Sequence, residues 1–203
     1  MAVQLSTSAG PLVVDLMTEE CPLSCKNFLK LCKSGYYNGC LFWNVQSNYL
    51  AQTGDPTGTG KGGESMFSLF SSGEDRHLAY PAAFINETNK KQPLNRIGLL
   101  CMAHNTGSAN QNRSQFFITL RSHDLKHLEG KHTVFGEVAE GHDILEKINK
   151  LYTDSDGRPF EDFRIKRADI LDDPFEDPLG FRIMREYCSA MYIPPEETVK
   201  SRI

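Results

Sequence analysis

The stretch that decides the fold reads Ser114-Gln115-Phe116-Phe117-Ile118, then Leu128-Glu129-Gly130-Lys131-His132, then Val134-Phe135-Gly136. It places an amide, a phenyl ring and an imidazole at neighbouring strand ends. Side chains of an extended chain alternate between two faces, so we expect Phe116 in the core and Phe117 on the opposite face. The stretch therefore predicts a small apolar slot with polar groups at its rim.

Working outward, short apolar runs alternate with turn residues, which is typical of a mainly β protein. Helical spacing is found in two segments. The first follows Glu20, with Pro22 in its opening turn and Gly35 at its end, and the second is 143–150. We predict a closed eight-stranded antiparallel β-barrel capped by two α-helices. Since side chains fill a barrel of this size, a substrate should bind to its outer wall. The predicted strands are 3–6, 12–17, 41–46, 49–53, 97–103, 115–120, 133–138 and 163–171.

Composition limits the functions that the chain can have. It has 203 residues and a net charge of -4, which argues against binding nucleic acid through phosphate contacts. The N-terminus lacks a secretory signal and no run is apolar enough to cross a membrane, so we expect neither secretion nor a membrane partner. The acidic, proline-broken run 172–178 divides the chain into a domain, 1–173, and a C-terminal extension or linker, 174–203.

Two further motifs predict neither a metal nor a cofactor. The six cysteines show no Cys-x-x-Cys pair, so we interpret them as buried thiols and not as metal ligands. The run 58–63 matches G-x-G-x-x-G, but a dinucleotide site needs a helix directly after the glycines, and 64–67 has no helical pattern. We therefore interpret 58–63 as a surface loop at a pocket rim.

Three blocks of sequence resemble the signatures of the cyclophilins, which are peptidyl-prolyl cis-trans isomerases. The first block is 42–46 with 49–55, the second runs from 98–103 to 115–117, and the third is 128–136. The resemblance covers roughly 1–173 in order and spacing. It implies a barrel of eight strands with two helices, in agreement with the pattern above, and a partner that is a proline-containing peptide segment.

The resemblance also implies a site. Gln52 would hydrogen-bond the peptide backbone, Ala103 and either His104 or Asn105 would offer main-chain contacts to the residue before proline, and Gln115 would lie at the rim. Cyclophilins usually have an indole where His127 stands, so weak cyclosporin binding is expected. The implied proline pocket is lined by Tyr49, Leu50, Phe117, Leu128 and His132.

One position departs from the family pattern. Active cyclophilins carry an arginine at the position of Asn44, so the implied catalytic set here is Asn44, Gln52 and His132, with weak or absent activity. Arg113, directly before Ser114, either turns a charge toward the pocket or faces solvent; its loop position favours solvent.

Further runs, among them 27–33, 44–46 and 170–175, resemble the isomerase-like 4 branch of the family. Members of that branch carry an RNA-recognition module after the cyclophilin domain and are nuclear, which implies a nuclear location, or otherwise a cytoplasmic one. The chain is expected to be a monomer whose domain binds no nucleic acid itself. Two functions stay open: an isomerase, and a non-catalytic scaffold module that binds proline-containing peptides in a nuclear RNA-processing assembly.

Overall fold

The computed structural model describes residues 1–70, 83–88, 93–104 and 111–184. All eight predicted strands are found, and both predicted helices. A short third helix was not predicted; it begins after Ser65, whose hydroxyl accepts a hydrogen bond from the Ser68 amide. In chain order the elements are β1 Ala2–Thr7, β2 Gly10–Leu16, α1 Pro22–Ser34, β3 Asn44–Gln46, β4 Leu50–Thr53, α2 Met66–Leu69, β5 Leu99–Met102, β6 Phe116–Thr119, β7 Val134–Glu140, α3 His142–Asn149 and β8 Ile165–Ile170.

The eight strands form one antiparallel sheet in the order β3-β4-β6-β5-β7-β2-β1-β8. The predicted closed barrel is not confirmed: the sheet is open and curled, and within the described residues no ladder joins β3 to β8. A loop occupies the outer edge of β3, because the Val45 amide donates to the Gly157 carbonyl at 2.6 Å. The two sheet edges still approach each other through backbone hydrogen bonds of 2.7–2.9 Å between residues 39–42 and 163–165.

Alternating burial divides the apolar side chains between two clusters. Phe116 and Phe135 lie in the main core, where the ring of Phe28 from α1 contacts both at centroid distances of 5.3 Å. Phe117 lies in a second cluster together with Leu50. The predicted division between Phe116 and Phe117 is therefore confirmed, and it follows from the two-residue period of a strand.

The segment from Asp173 to Met184 contacts α1. The fully buried Lys30 side chain places its Nζ 2.8 Å from Asp173 Oδ2 and 2.7 Å from Asp177 Oδ1, and it also donates to the Phe175 carbonyl. Further along, the Met184 amide donates to the Ser34 carbonyl at 2.6 Å. Residues 173–184 are thus attached to α1 by a buried cation and by a backbone hydrogen bond.

The described cysteines are all free and buried, as predicted: Cys21, Cys25, Cys32, Cys40 and Cys101. Burial is the main cause that raises the pKa of the Cys21 thiol to about 12, so this thiol stays protonated. Cys188 lies outside the described residues. In the described part of the chain no helix has the length and apolar character needed to cross a membrane.

Candidate functional site

Strand pairing aligns three of the predicted site residues. Gln52 on β4 is opposite Asn44 on β3 and opposite Phe117 on β6. Directly opposed residues of an antiparallel pair project to the same face. Gln52, Asn44 and Phe117 therefore form a row across three neighbouring strands.

The five residues of the predicted proline pocket pack together at the second cluster. Leu50 and Phe117 are buried in the second cluster, and Tyr49 and Leu128 pack against it. The His132 ring meets the Phe117 ring edge to face, with centroids 5.3 Å apart and planes at 83°. We call the group Tyr49, Leu50, Phe117, Leu128 and His132 the apolar slot.

His132 is held in one orientation and in its neutral form. Its Nδ1 lies 3.0 Å from the Met102 carbonyl, which can only accept, so Nδ1 carries the proton and Nε2 is left as an acceptor. Burial lowers the pKa of His132, and His104 and Lys131 add to the decrease, while the Met102 hydrogen bond opposes it. The imidazole is therefore neutral at neutral pH.

The side chain of His104 covers His132. The two imidazoles are stacked, with centroids 4.6 Å apart and planes at 27°, and His104 Nε2 lies 2.7 Å from the Lys131 carbonyl. The sequence predicts only a main-chain role for His104, and no pattern around it indicates a stacking partner 28 positions along the chain. Asn105, the alternative to His104, lies outside the described residues.

The outer rim of the slot is a polar and aromatic group. The Tyr49 hydroxyl lies 2.7 Å from His127 Nε2, and the two rings are stacked at 5.9 Å. The Arg121 guanidinium also lies over the Tyr49 ring, 4.8 Å from the ring centroid. The sequence analysis does not identify Arg121 as a site residue, because it follows β6 closely and belongs to no recognisable motif.

Gln115 connects Gln52 to the glycine-rich run 58–63, which we call the glycine loop. Gln52 Nε2 donates to Gln115 Oε1 at 2.9 Å, and Gln115 Nε2 donates to the carbonyls of Gly60 and Gly62 at 3.0 and 2.8 Å. The two amides fix each other's orientation. The glycine loop is a rim loop, as predicted.

Asn44 lies half-buried in a confined position. Its Oδ1 accepts a hydrogen bond of 3.2 Å from Gln46 Nε2. Gly157 approaches it so closely that a Cβ there would lie 2.4 Å from Asn44 Oδ1. The Asn44 side chain thus occupies the narrow space between its own strand, β3, and the loop that covers the edge of that strand.

A cleft of about 380 Å³ adjoins the slot; we call it the side cleft. Gln52, Ala103, His104 and Gln115 belong to both the predicted site and this cleft. Arg113 is exposed, as expected of a loop arginine, yet it also lines the side cleft. The remaining lining residues are Trp43, Gly60, Lys61, Gly62 and Gln111.

Residues 2–170 match a family model described as cyclophilin type peptidyl-prolyl cis-trans isomerase/CLD. The chain belongs to the cyclophilin family. It is 51% identical over 178 residues to peptidyl-prolyl cis-trans isomerase CYP59 of Arabidopsis thaliana, a match that covers 88% of the chain and 33% of that protein. It is 48% identical to human peptidyl-prolyl cis-trans isomerase-like 4, with 88% and 34% covered. The chain thus spans about a third of these relatives' length.

A solved structure gives the same assignment. A cyclophilin-type isomerase of Cryptosporidium parvum, crystallised in the presence of the dipeptide Ala-Pro, superposes with a TM-score of 0.75 at 34% identity. The match covers 85% of this chain and all of that one. The chain therefore contains a cyclophilin-type isomerase domain, and its relatives include proteins named isomerase-like 4.

Proposed function

We propose that this cyclophilin domain binds proline-containing peptide segments in the apolar slot and catalyses, slowly, cis-trans isomerisation of the bond before the proline. The observation that carries the proposal is the edge-to-face pair Phe117 and His132 beside Leu50, with Gln52 in the adjoining position of the row. A pyrrolidine ring is apolar and flat enough for such a slot, and the Gln52 amide offers polar contact to the peptide backbone.

The slot would act by favouring the twisted form of the bond. Resonance gives a peptide bond a rotational barrier of ~18–20 kcal/mol, and in the twisted form the proline nitrogen lone pair is localised and can accept a hydrogen bond. A held ring and a donor aimed at the twisted form stabilise the transition state more than the ground state. Such a reaction forms no covalent intermediate, so this mechanism uses only Gln52, His132 and the groups around them.

Asn44 is the reason to propose slow catalysis. Hydrogen bonds to charged groups contribute ~1.5–3 kcal/mol, against about 1 kcal/mol for neutral pairs. Loss of one preorganised donor lowers a rate by about 10²–10³-fold. A neutral amide confined by Gln46 and Gly157 supplies less stabilisation than the arginine usual in the family.

Exchange NMR on an Ala-Pro peptide tests the proposal. We expect the native chain to raise the cis-trans exchange rate measurably, and Leu128→Gln, which places an amide in the slot, to abolish both the acceleration and the shift changes of slot residues. Leu179→Gln is the matched control, because Leu179 is 99% exposed and lies outside the site. Shift changes confined to residues away from the slot would contradict the proposal.

A second candidate is a non-catalytic module that binds proline segments and scaffolds a nuclear RNA-processing assembly, and Asn44 is the observation that favours it. In this case the peptide would bind without acceleration of exchange. From the resemblance to the isomerase-like 4 branch we also propose a nuclear location, which imaging of the tagged full-length protein would test. We also propose that the domain comprises residues 1–173, with 174–203 as an extension, and that it is a monomer. Cyclosporin should bind weakly, because His127 replaces the indole usual in the family at the rim.

A further inference from the structure

We propose that the side cleft binds an acidic side chain, Asp, Glu or a phosphorylated serine, located two residues before the proline of the bound peptide. The inference rests on the proposed function, because it requires a prolyl peptide in the apolar slot. It goes further by assigning a charge preference to the peptide.

The charge of the side cleft is the first argument. Lys61 and Arg113 both line it and are exposed, and within the described residues the side chain of neither makes an ion pair or a hydrogen bond. Among the lining residues that the structure describes there is no carboxylate. Glu64 lies in the adjoining depression that Lys61 and Arg113 also line, and its Oε2 accepts from the Ser68 hydroxyl at 3.3 Å. Two cations on a concave wall attract an anion.

The backbone that carries Lys61 is fixed. Buried Asp55 accepts hydrogen bonds of 2.7–3.1 Å from the amides of Thr57, Thr59, Gly60 and Gly62. From the other side Gln115 donates to the Gly60 and Gly62 carbonyls. Hydrogen bonds thus hold the glycine loop on both sides. Little backbone conformational entropy is therefore lost when Lys61 binds a ligand.

The backbone that carries Arg113 is fixed as well. Asn27, fully buried on α1, donates from Nδ2 to the Arg113 carbonyl at 2.8 Å and accepts the Met66 amide at 2.8 Å. The buried Tyr37 hydroxyl donates to the next carbonyl, that of Ser114, at 2.8 Å. Both cations therefore extend from rigid anchors into the same cleft.

The position of the acidic residue follows from chain geometry. Gln52, Ala103, His104 and Gln115 are shared between the side cleft and the predicted peptide contacts, and Ala103 is the contact expected for the residue before proline. In an extended peptide, side chains two apart point to the same face, about 6–7 Å from each other. With the proline in the slot, the residue before it points away and the one before that points to the side cleft.

Peptides of the form Ala-Xaa-Ala-Pro-Ala, with Xaa as Ala, Glu, phosphoserine or Lys, test the inference by NMR titration of the 203-residue chain. We expect Glu or phosphoserine to bind about 3- to 10-fold more tightly than Ala, as one or two exposed ion pairs allow, and Lys more weakly. Raising the salt from about 0.05 M to about 0.5 M should reduce the acidic-to-Ala affinity ratio. A gain with phosphoserine alone would identify phosphorylated serine as the source of the charge.

Variants locate the effect. In Lys61→Gln/Arg113→Gln the acidic-to-Ala ratio should fall to about one, whereas Lys150→Gln/Lys166→Gln, which removes two exposed charges elsewhere, should keep the ratio of the native chain. If the Ala peptide binds but neither acidic peptide binds more tightly, or if the double variant keeps the preference, the inference is overturned and the proposed function stands. If no peptide binds in the slot, the proposed function itself fails.

Discussion

The imidazole of His104 is stacked on that of His132, with ring centroids 4.6 Å apart. This contact covers the imidazole of the apolar slot, and His104 contributes, after burial, to the decrease of the His132 pKa. The residue that follows Ala103 therefore influences the charge of the slot, in addition to any main-chain contact it makes.

Replacing His104 should raise the pKa of His132. In His104→Ala the covering ring and its electrostatic contribution are both lost, so the pKa of His132 should move back toward 6.5, its ordinary value. An NMR titration of the His132 ring proton measures the change. His142→Ala, at an exposed position on α3, is the control and should leave the value unaltered. An unchanged or lower value in His104→Ala would contradict the stacking argument.

Lys30 should stabilise the fold by fixing the extension to α1. In Lys30→Met the carboxylates of Asp173 and Asp177 lose their buried partner, and breaking a buried pair costs about 3–5 kcal/mol. Because both carboxylates are partly solvated, we expect the lower end of that range in urea unfolding. Lys33→Gln, whose side chain is 39% exposed, is the matched control and should lose less than about 1 kcal/mol. An equal decrease in the free energy of unfolding in both variants would contradict a specific stabilising role for Lys30.

The same cluster predicts a pH dependence of stability. Burial alone would raise the pKa of Asp173, but hydrogen bonds from Lys30 and the Phe175 amide lower it overall; hydrogen bonds from Lys30 and Lys33 lower the pKa of Asp177. A carboxyl with a lowered pKa in the folded state adds stability above its unfolded pKa, and this stability is lost as the pH falls through the folded value. The native chain should therefore lose more stability than Lys30→Met on acidification below the ordinary value of 3.8. Parallel losses would contradict this account.

Asp55 should be required for the order of the glycine loop. Its buried carboxylate accepts hydrogen bonds from four backbone amides, and Asp55→Ala would remove that acceptor. Hydrogen bonds to a charged group contribute about 1.5–3 kcal/mol, so we expect a loss of at least about 2 kcal/mol on urea unfolding. Faster hydrogen exchange of the Gly60 and Gly62 amides should accompany it. Asp156→Ala, at an exposed position, should show neither change.

The strands are predictable from the sequence because each has a clear two-residue or continuous apolar pattern. In the structure, the pairing register then places Gln52, Asn44 and Phe117 in one row. It could not predict the open sheet, since that depends on Gly157 pairing with Val45 across more than a hundred residues. The stacking of His104 on His132 and the position of Arg121 over Tyr49 depend on loop conformations, which a periodic sequence pattern does not predict. The acidic run after Asp172 predicts a linker, yet a buried lysine on α1 binds it.

The most direct test of the central claim compares rate and affinity for one Ala-Pro peptide in the native chain and in Asn44→Arg. We predict slow exchange in the native chain and a gain of about 10²–10³-fold in Asn44→Arg, the size of one preorganised donor, with little change in affinity. Leu179→Arg, at a position that is 99% exposed and outside the site, is the control and should not gain. Full exchange activity in the native chain, or a peptide that binds away from Phe117 and His132, would contradict the account.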